Sequence, residues 1–298
     1  VFTGYTDFTA EAEILAIYKD GAEVDSANEG EDVVIVLDKT PFYAEMGGQC
    51  ADGGCMKNDQ THLCVEFVNK APNGQHLHTV RVENGSVKVG DEFELTVDVA
   101  KRCCTQNNHT ATHLLQKALK NVLGDHVAQA GSYVDEQRLR FDFSHPSKMT
   151  DEQLRAVEDE VNEQIFAGIQ VQIDLMSKEE ALSSGAMALF DEKYGDSVRV
   201  VSVGDYSKEL CGGCHVSNTA QIGLFKIVSE ESVGSGVRRI EAVTGKSAYR
   251  ALKANEETLN QVADILRIKN KNEMIEKVNA FSNELAETKK QRDMYLDK

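Results

Sequence analysis

The chain has 298 residues, 41% of them apolar and 27% charged, a balance that fits soluble globular protein and excludes a disordered tail. Its formal net charge of −17 argues against broad attraction to nucleic acid, no apolar run is long enough to span a membrane, and the first residues lack the basic-then-apolar pattern of an export signal. Seven cysteines, an odd count with Cys103 and Cys104 adjacent, fit reduced thiols better than a disulfide framework, and a cytoplasmic protein is expected.

The charge is uneven. Residues 1–100 carry 19 acids against 6 bases, whereas residues 101–298 carry 30 against 26, so a polyanion is expected to meet the second part. Lys101-Arg102, Arg138 with Arg140, and Arg238-Arg239 are the candidate basic patches.

In chain order, residues 1–100 show short β-type runs at Asp32–Leu37, Thr61–Val68, His78–Glu83 and Glu92–Val99, which predict a small antiparallel barrel or sandwich. Thr40–Gln49 reads as an extended aromatic segment running into a diglycine loop. From Thr105 to Leu123 the pattern turns helical, with Ala111, Leu114, Leu115, Ala118, Leu119 and Val122 as the apolar stripe and Gly124 as the stop. Capping boxes at Thr150–Gln153 and Ser177–Glu180 start helices at Asp151 and Lys178. Strands are expected at Arg138–Phe143, Val171–Leu175, Val198–Val203, Gly223–Val228 and Arg238–Thr244.

The resulting fold class is α+β, with helices laid on a mainly antiparallel sheet. After Gly245 the chain is helical, with a polar break at Lys269–Asn272 and then Met274, Val278, Phe281 and Leu285 at spacings of four and three. That seam predicts either the start of a coiled coil or a plain packing helix. Three divisions follow: a β-barrel subdomain at 1–100, an α+β domain at 101–248 and a helical segment at 249–298. The opening at Val1 without an initiator Met, and the helical pattern still running at Lys298, lead to the expectation of an excised segment.

Two half-sites carry the chemistry. On a helix, residues four apart share a face, so His109 and His113 can point at one ion. Cys211 and His215 have the same spacing, but Gly212 and Gly213 disfavour a helix there and point to a tight turn. Together they predict one Zn2+ per chain, held by one sulfur and three nitrogens. Cys214 is a spare thiol that competes as a ligand with poorer geometry. Four protein ligands mark a closed structural site, yet the polar neighbours Thr110, Thr112 and Gln129–Ser132 favour a working cleft, so both readings stay open.

These residues carry a resemblance. His109-Thr-Ala-Thr-His113-Leu-Leu, Gln129-Ala-Gly-Ser132, Arg140-Phe-Asp-Phe-Ser-His145, Glu209-Leu-Cys-Gly-Gly-Cys-His215 and Gly236–Gly245 resemble the editing region of the alanyl-tRNA synthetases. Thr40–Gln49 resembles that family's preceding barrel, and the C-terminal helices resemble the start of its coiled-coil extension. The family's aminoacylation domain and ATP site are not among these motifs, and free-standing trans-editing deacylases share the core.

The resemblance implies hydrolysis of the ester joining serine or glycine to the 3′ end of tRNA(Ala). It implies His109, His113, Cys211 and His215 as zinc ligands, Thr112 and Gln129 as the residues that orient the aminoacyl group or water, and Gln49 as a substrate contact. Arg238 and Arg239 are candidate contacts to tRNA phosphates. It also implies a homodimer formed through the C-terminal region of a longer protein, and no membrane. Two positions depart from the family pattern: Cys214 stands for a usual threonine and Ala130 for a common lysine, which puts thiol sensitivity and tRNA contact in question. The rival reading is a non-catalytic, zinc-stabilised module for tRNA docking or dimerisation.

Overall fold

The computed structural model describes residues 1–187 and 197–296; the expected helical end at Lys298 lies outside them. The chain divides into two compact units, Val1–Ala248 and Tyr249–Lys298.

The first unit opens with nine strands: β1 (Thr9–Lys19), β2 (Ala22–Val24), β3 (Ser26–Asn28), β4 (Asp32–Leu37), β5 (Gly54–Lys57), β6 (His62–Lys70), β7 (His76–Asn84), β8 (Ser86–Lys88) and β9 (Glu92–Val97). Neighbours run β1-β4-β7-β6-β5-β9, and β9 pairs back onto β1, so the sheet closes into a six-stranded antiparallel barrel. Closure removes the free sheet edges that an open sheet of this size would expose. Ile14, Ile17, Ile35, Leu63, Val80 and Leu95 fill the interior with no exposed surface.

The four expected strands are present, three of them with shifted ends, and β1 escapes the sequence pattern for a visible reason. A bulge between Ile14 and Ala16 breaks the alternation, so the inward side chains Ile14 and Ile17 fall three apart, a helical spacing, in a run rich in Ala and Glu. The expected strand Glu92–Val99 ends at Val97, because the side chain of Asp98 accepts the Lys101 N–H and starts α1 (Val99–Leu123) six residues before the expected Thr105.

Helix α1 is the centre of the second half. A four-stranded antiparallel sheet is built from β10 (Gln129–Val134), β11 (Leu139–Ser144), β15 (Phe225–Gly234) and β16 (Val237–Thr244), in the order β10-β11-β16-β15. A three-stranded sheet holds β12 (Val171–Ser177), β13 (Ser197–Val203) and β14 (Ser207–Leu210). Alternation along β11 turns Leu139, Phe141 and Phe143 onto Leu115, Leu119 and the buried face of α2 (Asp151–Phe166), marked by Val157 and Val161. Both predicted capping boxes form, so α2 and α3 (Lys178–Ser183) begin where the sequence placed them. The strand expected from Gly223 starts instead at Phe225, since Gly223 closes a 3-10 turn over Thr219–Ile222.

In the second unit α4 (Gly245–Ile265), most of whose length lies there, is followed by α5 (Met274–Leu296), on which Val278, Phe281 and Leu285 are exposed. Among the described residues, no helix is long and apolar enough to cross a membrane.

The barrel also sets a pH response. His78 has no exposed surface and sits between the Ile35 carbonyl (3.0 Å from Nδ1) and the Thr40 hydroxyl (2.8 Å from Nε2). Burial lowers its pKa from 6.5 to about 4, and half-buried His76, stacked on Phe2, is lowered to about 4 as well. A histidine depressed in the folded state contributes its full stability above the unfolded value and loses it as pH falls from about 6.5 toward 4. Acid titration of unfolding is therefore expected to cost roughly 3 kcal/mol through His78 alone over that window. His78→Gln, followed by urea unfolding at several pH values, should flatten this slope; an unchanged slope refutes the assignment.

Candidate metal centre

The face of α1 that carries His109, Thr112, His113 and Gln116 repeats at spacings of three and four, which puts all of them on one side of the helix. All are buried. The loop after β14 supplies the other half: Cys211 to His215 runs without regular structure, as the two glycines predicted. Its third position must be glycine, because a Cβ on Gly213 would lie 2.0 Å from Cε1 of His109 and 2.8 Å from the Gln49 side-chain oxygen.

The two halves meet. The donor atoms of His109, His113, Cys211 and His215 all lie within 4.8 Å of one another. The Cys211 sulfur is 3.4 Å from Nε2 of His109 and 3.3 Å from Nε2 of His215. Tetrahedral coordination with bonds of about 2.0–2.3 Å spaces its donors about 3.3–3.8 Å apart, so these separations suit an ion at the centre. Cys214 stands outside this group: its backbone N–H donates to Gln49 Oε1 at 2.8 Å.

The hydrogen bonds behind the ligands aim them. Because the Cys214 N–H fixes Gln49 Oε1 as an acceptor, the Nδ1 of His109, 2.7 Å from the same oxygen, must carry the proton. That leaves the lone pair of Nε2 facing the sulfur, the tautomer a metal needs. Thr110 Oγ1 lies 3.0 Å from Nδ1 of His215 and accepts the Val216 N–H, which holds that ring in place. Glu209 faces Nδ1 of His113 at 3.7 Å and takes a hydrogen bond from the Ser207 hydroxyl.

Electrostatics point the same way. Burial pushes the Cys211 thiol up to about 12 and the Glu209 carboxyl up to about 8, and it lowers His113 to about 3, with His109 and His215 also well below the usual histidine value. Without a cation, the cluster is therefore neutral, and a thiolate there lacks adequate compensation. A bound cation would supply that compensation.

A cleft opens beside the cluster, lined also by Tyr43, Met46, Thr112, Gln116, Gln129 and Ser132. Gln116 and Gln129 each bring a buried Nε2 without a hydrogen-bond partner. The Thr112 hydroxyl donates to the Asn108 carbonyl at 2.8 Å, which leaves its oxygen able only to accept from a further partner. Gln49 sits behind His109 with no exposed surface and does not line the cleft; it reaches there because Gly48 and Cys50 bond the backbone of Val134 on β10.

Two residues absent from the sequence reading shape the site. Gln116 carried a legible signal, one helical turn beyond His113 on the same face. Arg199 carried none: from β13 it donates to the carbonyls of Cys211 (3.0 Å) and Gly213 (2.6 Å), with Tyr5 beneath its guanidinium at 4.2 Å, and so clamps the ligand loop.

The expected basic patches fare differently. Arg102 is a correction: it is 1% exposed, bonded to both carboxylate oxygens of Asp52 and to the carbonyls of Gly4 (2.6 Å) and Pro41 (3.0 Å), and it ties α1 to the barrel. Arg238 donates to Glu230 at 2.5 Å, and Arg239 forks onto Asp142 at 2.7 and 2.8 Å. Arg138 pairs with Glu241, while Arg140 lies over the Tyr133 ring.

Comparison with known proteins agrees with this architecture. Residues 1–101 match the family described as tRNA synthetases class II (A), and residues 198–241 match the threonyl and alanyl tRNA synthetase second additional domain. The chain is similar to the alanine--tRNA ligase of Bacillus subtilis, 52% identical over 297 residues that make up 100% of this chain and 34% of the relative. That of Geobacillus thermodenitrificans is 54% identical over 266 residues, 89% of this chain and 30% of the relative. The chain thus spans about a third of the length of the curated relatives it matches.

Proposed function

Kinship with alanine--tRNA ligases runs the length of this chain, and from it we propose that residues 101–248 form an editing domain that hydrolyses the ester of seryl- or glycyl-tRNA(Ala). The observation that carries the reading is the cleft, where a cluster of three imidazole nitrogens and one sulfur stands beside two unpartnered amide donors and an acceptor hydroxyl. We assign zinc to the cluster, since three imidazoles and one thiolate match its donor preferences. Bound there, zinc supplies a fixed positive charge beside the cleft and cross-links α1 to the Cys211–His215 loop.

The protein groups do the reading. Gln116 and Gln129 donate to oxygen acceptors of the aminoacyl ester, and Thr112 accepts from a seryl hydroxyl or an incoming water. An aminoacylation site shaped for alanine cannot exclude smaller glycine strongly, and it gains only a few kcal/mol against serine by packing alone. A pocket of polar partners inverts that test, because alanine leaves its acceptor unpaired. Gln49 acts through His109 as a positioning residue, and the localisation that follows is cytoplasmic.

The test is cleavage of seryl-tRNA(Ala) against alanyl-tRNA(Ala) by this chain. Gln129→His and Cys211→Ala should each lower seryl cleavage, and unchanged rates in both reject the site. The closed, four-ligand cluster favours one second reading, a structural metal in a tRNA-docking module. If chelation unfolds the domain and the metal-loaded protein never cleaves seryl-tRNA, that reading stands instead.

The charge balance adds a prediction. With −17 overall, and with Arg238 and Arg239 already engaged by carboxylates, few phosphates are neutralised on binding. The chain alone is expected to bind tRNA weakly, with a slope of log Kd against log salt corresponding to about two or three phosphates. A titration slope twice that steep contradicts it.

A further inference from the structure

Strands β5 and β6 form an antiparallel hairpin in whose register Cys55 lies directly opposite Cys64. Met56, Leu63 and Val65 on the alternate positions point into the barrel core, so both thiols lie on its outer wall, and both are half-buried. Directly opposed residues of an antiparallel pair have Cα atoms about 4.5 or 5.5 Å apart, and both values fall inside the range of about 4.4–6.8 Å found for disulfides.

No other pair of cysteines is arranged this way among the described residues. Cys211 belongs to the metal cluster, Cys214 is buried, and Cys50 lies 4.0 Å from the Thr105 hydroxyl. Cys103 and Cys104 are successive residues of α1, so their side chains diverge by about 100°.

We propose that Cys55 and Cys64 form a thiol–disulfide site on the barrel wall, which a low-molecular-weight disulfide such as oxidised glutathione converts to a cross-strand disulfide. In the first step a Cys55 thiolate attacks one sulfur of the oxidant, breaking its S–S bond and releasing one reduced thiol. In the second, the Cys64 thiolate attacks the Cys55 sulfur of the mixed disulfide and expels the second reduced thiol. The protein loses two electrons and two protons, and the oxidant becomes two thiols.

Partial burial and the carboxylates of Glu83 and Glu66 raise the Cys64 thiol; exchange of the two cysteines in these steps gives the same cross-strand bond. The bond closes the hairpin around its Asn58–Thr61 turn, which lowers the entropy of the unfolded barrel and raises its thermal stability.

The whole chain, loaded with zinc, is equilibrated with reduced and oxidised glutathione at a series of ratios, and unreduced peptides are mapped by mass spectrometry. A peptide linking Cys55 to Cys64 is expected at a lower ratio of oxidant than any change at the other cysteines, with a loss of about two mass units for the two hydrogens. The melting temperature should rise by a few degrees and return on reduction. In Cys64→Ser, glutathione should remain attached at Cys55 and the thermal shift should vanish. Separate glutathione adducts on Cys55 and Cys64 without a cross-link, or both thiols still reduced while other cysteines react, would overturn the proposal.

Discussion

Replacing Arg102 by methionine is expected to destabilise the first unit by about 3–5 kcal/mol, the cost of leaving a buried carboxylate without its counter-charge. Asp52 is 4% exposed, and its other contact is the Tyr43 N–H at 2.7 Å, too little to compensate the charge once the guanidinium is gone. The Gly4 and Pro41 carbonyls also lose their donors. Urea unfolding of wild type and Arg102→Met checks the magnitude, and a loss under about 1 kcal/mol at constant m refutes it. Combining Arg102→Met with Asp52→Leu should cost much less than the sum of the two single changes, since no uncompensated charge remains. Asp52 also anchors the segment that carries Gln49, so a weaker metal site is expected in the single variant.

Cys211→Ala removes the one sulfur donor of the cluster and is expected to lower zinc affinity by more than about 100-fold, beyond the range typical of changes behind the ligands. Competition with a chromogenic chelator measures this, and affinity within about threefold of wild type refutes the ligand set. Gln116→Leu supplies the contrast. Its amide lines the cleft but is not one of the four clustered donors, so metal content should hold while kcat/KM on seryl-tRNA falls by roughly 10- to 100-fold, the equivalent of one or two hydrogen bonds to the reacting ester. Loss of metal in Gln116→Leu would instead mark it as structural. The pair of variants separates the integrity of the metal site from recognition in the cleft.

The local grammar was largely legible. The capping boxes at Thr150 and Ser177, the shared face of His109 and His113, and the irregular loop forced by Gly212 and Gly213 are all properties of adjacent residues, and each is found in the structure. The three-residue strands β2, β3 and β8 were not read, and neither were β1, β5, β10 and β14. In β1 and β10 a bulge breaks the alternation on which strand recognition depends. Strands β5 and β14 have only four residues each, too few to establish a period.

By itself, the sequence determined that helix α1 presents a pair of imidazoles on one face and that a second ligand pair waits on a glycine turn. Only the tertiary structure decided that these pairs converge from 102 residues apart, that Gln49 of the barrel loop reaches 60 residues forward to set a histidine tautomer, and that Arg102 is a buried tie rather than a basic surface. The division has a physical cause. Backbone periodicity fixes which side chains share a face within one element, whereas burial and pairing between elements depend on how closed surfaces pack, and no spacing along the chain encodes that.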